Sequence, residues 1–435
     1  MKKSAIFLAV STCLLSVAHA DPIKTVFTIA LENQNWTSPE NTSSQQQIYN
    51  NPAAPFLSGL VTGTLGTTVN GVSITSQTAY ATAYHNVLAT PTGATGLNSI
   101  HPSEPNYIWT EAGSNLGVYN DNQPYGTGGT NQNTNQHLAG LMQQQGVTWK
   151  SYQEGIDLVP GSGAINQPGS NSLTNTVAPQ SQWTVPLTNF SGTSANYTNP
   201  FNGSHQYNYA VKHNPMAFFT DTNGGNNATT TNTESLNYAP LEQLQTDLNN
   251  NTVAKYNWIT PDQYNDMHSA LSGGFTYNGT HFTGEQAQIA QGDNFLSIII
   301  PLIMASQAYQ DNGAIIIWTD ETEPTATGQQ NDYNHTLSEI VISPDAAPNV
   351  NGVPFASTVN LTHSDDLRSM QDIFGLYTSQ TAGGYLGDAA NAQGLGSLFV
   401  AGAVAPAAVP VPAAVWLFGS ALVGLVGFGR RRSAK

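Results

Sequence analysis

Two short apolar segments, each followed by acidic residues, decide the fold of this chain. Residues 25–31, Thr-Val-Phe-Thr-Ile-Ala-Leu, precede Glu32 and Asn33, and residues 314–318, Ala-Ile-Ile-Ile-Trp, precede a second acidic group. Both segments are rich in β-branched residues and lack alternating polar positions, which is typical of strands buried on both faces of a parallel sheet. Residues 339–343 predict another strand.

The segments between these strands predict helices and loops. Residues 293–309 predict a buried helix that Asp293 or Asn294 could cap. Residues 113–136 and 161–208 are rich in Asn, Gly, Ser and Thr without clear periodicity, so we expect surface loops there, without secondary structure. Strands separated by helices predict an α/β fold with a mixed, mostly parallel sheet and helices on both faces.

The beginning of the chain indicates export. Residues 1–20 combine two lysines, an apolar run and the small-residue pattern Ala18-His19-Ala20, as in a secretory signal peptide. We therefore expect one catalytic domain over residues 21–400. The only cysteine, Cys13, lies in the signal segment, so the mature chain offers no disulfide and no cysteine chemistry.

The end of the chain has the features of a sorting segment. Residues 401–412 form an Ala/Val/Pro linker, and residues 413–435 contain an apolar run followed by three arginines. The run is short for a membrane span, and a plain anchor with its arginines inside is one interpretation. The proline pair, Trp416 and the arginine cluster together resemble a PEP-CTERM sorting signal, which a membrane transpeptidase cleaves during export. This resemblance implies a cell-surface or extracellular protein that contacts the membrane only through this segment.

The mature chain is strongly acidic. The sequence has 27 acidic and 11 basic residues, and six of the basic residues lie in the two end segments, which leaves five. Such a surface repels nucleic acid and anionic lipid, so neither is expected as a partner. A phosphate substrate is not excluded, because a bound cation dominates the local field of a metal site.

The polar residues that follow the predicted strands are candidate metal ligands. Glu32 and Asn33 follow the first strand, and Asp320 and Glu321 follow the later one. Ligands bind at the carboxyl ends of strands in such sheets. Grouped oxygen ligands suit Mg, Ca or Mn, and an added imidazole suits Zn or Fe. Acid and amide residues after a strand also cap the next helix, so both interpretations stay open for each pair.

A serine at a predicted helix start is the candidate nucleophile. Ser103 lies in the segment His101-Pro102-Ser103-Glu104-Pro105-Asn106-Tyr107, which has the form of an ordinary helix start with the serine as its cap. Free N–H groups and the helix dipole at such a position also favour a phosphoryl group. A metal could make the hydroxyl a nucleophile at moderate pH. The segment by itself leaves both interpretations open.

Five histidines in polar, loop-like contexts accompany the serine: His101, His213, His268, His335 and His363. Any one of them is typical of a structural hydrogen-bonding residue. Together with paired acids they suggest a phosphate pocket, where imidazoles bind phosphoryl oxygens or protonate a leaving alcohol.

Seven short motifs are spread across most of the mature chain: Leu31-Glu32-Asn33, His101-Pro102-Ser103-Glu104-Pro105-Asn106-Tyr107, Trp149-Lys150-Ser151-Tyr152, Lys212-His213-Asn214-Pro215, Asn265-Asp266-Met267-His268, Trp318-Thr319-Asp320-Glu321, and His335 ahead of Ile340-Val341-Ile342-Ser343-Pro344. In this order they resemble the bacterial and fungal phosphoesterase family of acid phosphatases and phospholipases C, within the alkaline-phosphatase-like superfamily. The resemblance implies an alkaline-phosphatase-like α/β fold. The acidic Glu104 beside the serine stands at a position where the family varies.

The resemblance also implies roles for individual residues. Ser103 would be phosphorylated in turnover, and its oxygen would join a site for one divalent metal ion whose other ligands are Glu32, Asn33, Asp320 and Glu321. The implied substrate-binding residues are Asn106, which would donate to the phosphoryl oxygens, His213 and His268, which would line the phosphate pocket, and His335 nearby.

We therefore predict a secreted, metal-dependent phosphoesterase that hydrolyses small phosphate monoesters through a phosphoserine, as acid phosphatases do. A phosphodiesterase of the phospholipase C type is the alternative within the enzymes. The absence of a basic or strongly aromatic lipid-binding stretch favours the monoesterase. A non-catalytic surface protein associated with exopolysaccharide is the alternative outside them, and the intact serine and acids favour the enzyme.

Overall fold

The structure is a computed structural model that describes residues 21–37, 47–88, 99–167, 171–322, 334–381 and 383–405. The predicted signal peptide, the predicted sorting segment and most of the linker lie outside these residues. The assignment of residues 21–400 to one catalytic domain stays a prediction.

The strands within these residues are, in chain order, β1 Thr25–Leu31, β2 Thr68–Val69, β3 Val72–Ser73, β4 Thr78–Ala81, β5 Trp149–Gln153, β6 Leu158–Ser162, β7 Asn171–Val177, β8 Phe190–Thr193, β9 Gln206–Tyr209, β10 Tyr238–Pro240, β11 Tyr256–Thr260, β12 Phe275–Tyr277, β13 Thr280–Phe282, β14 Gly313–Thr319, β15 Glu339–Ile342 and β16 Phe355–Ser357. The α-helices are α1 Pro55–Thr62, α2 Ser103–Ala112, α3 Leu138–Gln145, α4 Leu244–Asn250, α5 Glu285–Met304, α6 Gln307–Gln310 and α7 His363–Phe374.

Eight of the strands form one central sheet in the order β10-β5-β11-β1-β14-β15-β4-β16. Neighbouring strands are parallel except where β15 pairs with β14 and with β4, so β15 alone runs against the others. The two segments that decided the predicted fold are the central neighbours β1 and β14, and both are buried along their whole length. A mixed, mostly parallel sheet confirms the predicted fold class.

Alternate residues of the central strands pack on opposite faces of the sheet, as the two-residue period of a strand requires. On one face, Val26 and Trp318 join a core cluster that includes residues of α2, α3 and α7. On the other face, Phe27 and Ile317 join a cluster that includes residues of α1, α4 and α5. Helices therefore cover both faces, as predicted.

The predicted helix over residues 293–309 is wrong in its start and its end. The helix α5 begins at Glu285 and ends at Met304, and α6 follows as a separate short helix. Asp293 does not cap α5, because it lies in the helix interior, where its carboxylate accepts hydrogen bonds of 2.8 Å from the backbone N–H groups of Phe56 and Leu57. It therefore satisfies the free N–H groups at the start of α1, a tertiary contact that local capping signals do not report.

Helix α5 alone, among the described residues, has the length and apolar composition of a membrane span. Most of it is buried inside the protein, where Phe295, Ile299 and Ile303 belong to the core cluster under the sheet. It is the core helix of this face.

The two polar stretches differ from each other. Residues 113–136 contain no helix or strand, as predicted. Residues 161–208 were wrongly predicted to lack secondary structure, because β7 pairs with β6 and β8 pairs with β9 as antiparallel hairpins. Strands β7 and β8 are rich in Asn, Ser and Thr and have few apolar residues, which is why the periodicity of the stretch is weak.

Candidate active site

Two parallel strands bring three acids to one edge of the sheet. β1 and β14 pair in register, with Leu31 opposite Thr319, so Glu32 and Asp320 leave the sheet side by side. The backbone N–H of Asp320 donates to the carbonyl of Leu31 at 3.3 Å. Glu32 and Asp320 are fully buried and Glu321 is 4% exposed, so the three carboxylates share one buried volume at the carboxyl ends of the strands.

Asn33 joins this group through a left-handed turn. Its φ is 38°, a conformation that asparagine tolerates better than most residues. Its backbone N–H donates to Oδ1 of Asp320 at 3.1 Å, and its side-chain oxygen lies 3.4 Å from Oγ of Ser103.

Ser103 is the first residue of α2, and Pro102 rather than Ser103 stands at the cap position. In the described part of the chain, its hydroxyl contacts side chains of other segments and not the backbone of α2. It lies 3.0 Å from Oε2 of Glu32 and 3.1 Å from Oε1 of Glu321. One hydroxyl hydrogen cannot satisfy two carboxylates and the Asn33 oxygen at once, so the group is richer in acceptors than hydrogen bonding requires. Asp320 accepts a hydrogen bond from Asn33, and Asn33 in turn contacts Ser103. Asp320 itself forms no hydrogen bond to Ser103.

Two buried rings orient Glu32. The hydroxyl of Tyr107 donates to its Oε1 at 2.5 Å, and Nε2 of His213 lies 3.1 Å from the same oxygen. The two rings stack with centroids 5.2 Å apart. The other nitrogen of His213, Nδ1, lies 3.2 Å from Oδ2 of Asp266. The contacts of Tyr107 and His213 fix Oε1 of Glu32, and Oε2 of the same carboxylate faces Ser103.

His213, which was predicted to line the phosphate pocket, has a carboxylate near each ring nitrogen in this structure. Its ring is 1% exposed, and both nitrogens face carboxylates. His268 lies close to it, with the ring centroids 6.1 Å apart, and its Nδ1 is 3.1 Å from Oγ of Ser269. The phosphate-binding roles of both histidines stay predictions.

Asn106 lies one helical turn beyond Ser103. Its Nδ2 donates to the carbonyl of Ile100 at 3.1 Å and to Oε2 of Glu321 at 3.4 Å. Its Oδ1 is buried without a hydrogen-bond partner among the described residues. In this conformation the amide supports Glu321, and donation to a substrate would require it to exchange these partners.

The contact of His335 is with His85 and not with the residues around Ser103. Its carbonyl lies 3.1 Å from Nδ1 of His85, and its own buried Nδ1 has no hydrogen-bond partner among the described residues. Its predicted role near the substrate stays a prediction. His363 lies behind the metal-ligand candidates, where its Nε2 is 2.5 Å from the carbonyl oxygen of Asp320.

Several residues of the site had been assigned no individual role in the predicted site: His101, Tyr107, Asp121, Lys212 and Asp266. Nδ1 of His101 pairs with Oε2 of Glu321 at 2.7 Å, and Nζ of Lys212 lies 3.4 Å from Oγ of Ser103 and 3.1 Å from Oδ2 of Asp121. Four of them lie in motifs already singled out in the sequence. Asp121 lies in the unpatterned stretch 113–136, where no local signal marks it.

The electrostatics of the cluster follow from burial and charge. Burial and then the charges of Glu32 and Glu321 hold the pKa of Asp320 well above its ordinary value, and burial raises the pKa of Glu321. Burial alone would raise the pKa of Glu32 too, but His213 and Lys212 more than offset it and hold that pKa below the usual range. Three buried carboxylates therefore do not ionise together without added positive charge.

The second residue of α2 also has an altered acidity. Glu104 is fully buried, and this burial raises the pKa of its carboxyl to about 8. At neutral pH the side chain beside Ser103 is therefore mostly protonated.

The donor set fits a hard divalent cation. Oδ2 of Asp320 is buried and has no hydrogen-bond partner within the described residues, and the grouped ligands are all oxygens. No three His, Cys, Asp or Glu side chains within the described part of the chain converge on a common point with metal-binding geometry. The side chains of Glu32, Asn33 and Glu321 contact Ser103 Oγ instead. The types of these residues fit the predicted ion, but their arrangement is not that of a formed metal centre.

The chain matches the model of a known protein family. The model of the Phosphoesterase family matches residues 96–376, more than half of the chain, including Ser103, Lys212 and Asp320. The fold and this match define the class of the protein as a hydrolase of ester bonds. The chain belongs to the Phosphoesterase family. β1 and Glu32 lie ahead of the matched residues.

The solved structures to which the chain is similar at low identity include the following three. A protein in the alkaline phosphatase superfamily from Vibrio parahaemolyticus is 10% identical, with 81% of this chain and 67% of that chain covered and a TM-score of 0.40. The lipoteichoic acid synthase LtaP from Listeria monocytogenes is 10% identical (82% and 73% covered, TM-score 0.41), and the PsFucS1 sulfatase from Pseudoalteromonas sp. is 9% identical (84% and 70% covered, TM-score 0.42). At such low identities and TM-scores these likenesses carry no argument about activity here. A search among curated proteins finds no match.

Proposed function

We propose that this protein hydrolyses phosphate monoesters through a phosphoserine formed on Ser103. The observation that carries the proposal is the contact of the Ser103 hydroxyl with the carboxylates of Glu32 and Glu321, at 3.0 and 3.1 Å, at the first turn of α2. A serine that only capped the helix would direct its oxygen to a backbone N–H of that turn. Here the hydroxyl faces acids that can accept its proton.

The reaction would proceed in two displacements. In the first, Oγ of Ser103 attacks phosphorus, the hydroxyl proton passes along one of the hydrogen bonds to a carboxylate, and the ester bond breaks so that the leaving alcohol oxygen takes up that proton. In the second, water attacks the phosphoserine, which releases phosphate and restores the hydroxyl. The helix N-terminus at Ser103 favours the negative charge of the transferred group in both steps.

One divalent metal ion belongs to this proposal. Its ligands would be Glu32, Asn33, Asp320 and Glu321 together with the oxygen of Ser103. When bound, the ion would supply the positive charge that the buried carboxylates need and would polarise the phosphoryl group. An oxygen ligand set favours Mg, Mn or Ca.

A substrate screen tests the function. The mature chain would be assayed on p-nitrophenyl phosphate, bis-p-nitrophenyl phosphate, p-nitrophenyl phosphorylcholine and p-nitrophenyl sulfate, with chelator and after metal is restored. We expect the monoester to be hydrolysed fastest and the chelator to remove the activity. Faster hydrolysis of a diester would replace the proposal by a phospholipase C type activity, and a preference for the sulfate would make the protein a sulfatase. Inactivity on all four substrates with metal supplied would leave the non-catalytic surface protein.

We further propose that the protein is exported and that a sorting transpeptidase removes its C-terminal segment. The support is the signal-peptide pattern of residues 1–20 and the ordered features of residues 413–435. Mass spectrometry of the protein from its native host decides the point. An N-terminus at Asp21 and loss of the terminal arginines are expected, whereas a retained arginine cluster would indicate a plain anchor.

A further inference from the structure

One cation stands beside the nucleophile. Nζ of Lys212 lies 3.4 Å from Oγ of Ser103, and the Lys212 side chain is only 14% exposed. Among the described lysines and arginines, the other paired side chains contact acids elsewhere: Lys24 with Asp311, Lys150 with Asp247 and Arg368 with Asp372. Lys212 is therefore the paired lysine or arginine that lies beside Ser103.

A backbone donor lies next to this lysine. The N–H of Glu104 is the second of α2, and the first N–H groups of a helix have no partner within the helix. These groups and the helix dipole favour anions. Lys212 Nζ and Glu104 N therefore present two donors on the nucleophile side of the site.

Both donors are held by one carboxylate of the chain itself. Oδ1 of Asp121 accepts from the N–H of Glu104 at 3.0 Å, and Oδ2 of the same side chain accepts from Nζ of Lys212 at 3.1 Å. Asp121 is part of the 113–136 stretch without helix or strand, and its side chain is 33% exposed. A single anionic group thus bridges the two donors, with one oxygen on each, beside Ser103.

We propose that Lys212 Nζ and Glu104 N–H form a subsite for two oxygens of the transferred phosphoryl group, and that Asp121 occupies this subsite until substrate displaces it. The proposal rests on the proposed function. A phosphate monoester carries more negative charge than a carboxylate, so it gains more from the lysine and the helix N-terminus. The displaced Asp121, already partly exposed, passes to solvent. Its competition lowers the apparent affinity for every phosphate ligand by the same factor.

Two substitutions of Asp121 test whether its carboxylate competes with the substrate or only supports the structure. Asp121→Asn keeps an oxygen for Glu104 N–H and removes the negative charge, so the helix start stays capped while the competition for Lys212 weakens. Asp121→Ala removes both contacts. Lys212→Met removes the cation, and Lys212→Arg keeps it. Lys150→Met is the matched control, because Lys150 is also part-buried (17% exposed) and paired with an aspartate at 3.2 Å, away from Ser103.

Binding of inorganic phosphate to the full mature chain, measured by calorimetry at fixed metal content, is the test. We expect Asp121→Asn to bind phosphate about threefold to fivefold more tightly, the scale of a partly exposed ion pair. Lys212→Met should bind at least about tenfold more weakly and lose about 100-fold in kcat/KM, Lys212→Arg should keep most of the binding, and Lys150→Met should match the wild type.

Two results would overturn the subsite. One is unchanged or weaker phosphate binding by a folded Asp121→Asn, which would make Asp121 a structural cap. The other is phosphate binding by Lys212→Met equal to that of the wild type. If Lys212→Met does not fold, Asp121→Asn decides alone. Because phosphate binding is measured without turnover, a wild type that hydrolyses no phosphoester yet follows this binding pattern would contradict the proposed function and not the subsite.

Discussion

The hydroxyl oxygen of Ser103 lies 3.0 Å from a carboxylate oxygen of Glu32, across a sequence separation of 71 residues. The strand β1 carries Glu32 to the edge of the sheet, and the first turn of α2 carries Ser103 to the same point. Tyr107, one turn further along α2, holds the opposite oxygen of Glu32. One helix therefore supplies both the candidate nucleophile and the group that orients its carboxylate partner.

Tyr107→Phe tests the importance of that orientation. The substitution keeps the packing of the ring and removes the hydrogen bond to Glu32. Loss of a group that orients a metal ligand typically weakens metal binding by about 10- to 100-fold, so we expect a metal affinity lower by that factor and a parallel fall in kcat/KM. Tyr309→Phe is the control, because it removes a buried hydroxyl that donates to Gln77 at 2.8 Å, outside this site. Equal metal affinity in both variants would show that Glu32 needs no support from Tyr107.

Asp320→Asn should separate metal binding from stability. Burial and the charges of Glu32 and Glu321 hold the pKa of Asp320 well above normal, so its ionised form is unfavourable in the metal-free protein. We expect the asparagine variant to lose metal and activity together, while its metal-free form unfolds at the same temperature as the metal-free wild type or higher.

Asp293→Asn provides the contrasting variant. Its carboxylate holds two backbone N–H groups at the start of α1, far from the acid cluster in its contacts. It should lower stability by about 1–3 kcal/mol and keep its metal. Elemental analysis and thermal unfolding measure both variants. Full metal content in Asp320→Asn would remove Asp320 from the ligand set.

His137 should make stability depend on pH. Its buried ring lies between Glu111, 2.7 Å from Nδ1, and Asp221, 3.0 Å from Nε2. Burial would lower the pKa of His137, but hydrogen bonds to Asp221 and Glu111 more than offset it, and the pKa is raised. The native state then binds the proton more tightly than the unfolded state. This contribution is complete below the unfolded pKa of about 6.5 and is lost as pH rises through the higher folded pKa, at about 1.4 kcal/mol per pH unit.

Denaturant unfolding of His137→Gln against the wild type, at pH values from about 6 to 9, measures this effect. The stability difference between the two proteins should shrink as pH rises. His281→Gln is the control, because it makes the same substitution at an exposed position on β13. A difference for His137→Gln that is constant over the range would mean that the folded and unfolded states bind the His137 proton equally, and would contradict the raised pKa.

The sequence predicted the parts of the fold that local patterns determine. β1 begins and ends where its apolar run does, and β14 extends the predicted run by one residue at each end. The start of α5 was missed, since the apolar residues that suggest a helix begin only after a polar first half. Pairing was not predictable either, because nothing in the segment 339–343 shows that β15 runs antiparallel to its neighbours.

Some residues of the candidate site were also predictable from the sequence, and others were not. Glu32, Ser103 and Glu321 were predictable because they follow strands or open a helix within recognisable motifs. Asp121 was not, since its role depends on tertiary contacts with Lys212 and with the backbone of α2. His213 was assigned to the phosphate pocket on its motif alone, and only the structure shows that carboxylates face both of its ring nitrogens.

In the proposed mechanism, Ser103 carries the phosphoryl group during turnover. Acid quenching of the enzyme during hydrolysis of p-nitrophenyl phosphate, followed by peptide mass spectrometry, measures this directly. We expect a phosphoryl adduct on Ser103 in the wild type. Ser103→Ala should show no adduct and a rate lower by about 10³-fold or more, with most of its metal retained because only one of several ligands is lost. An active Ser103→Ala variant, or a wild type that turns over without any adduct on Ser103, would contradict the mechanism and reduce Ser103 to the first residue of a helix.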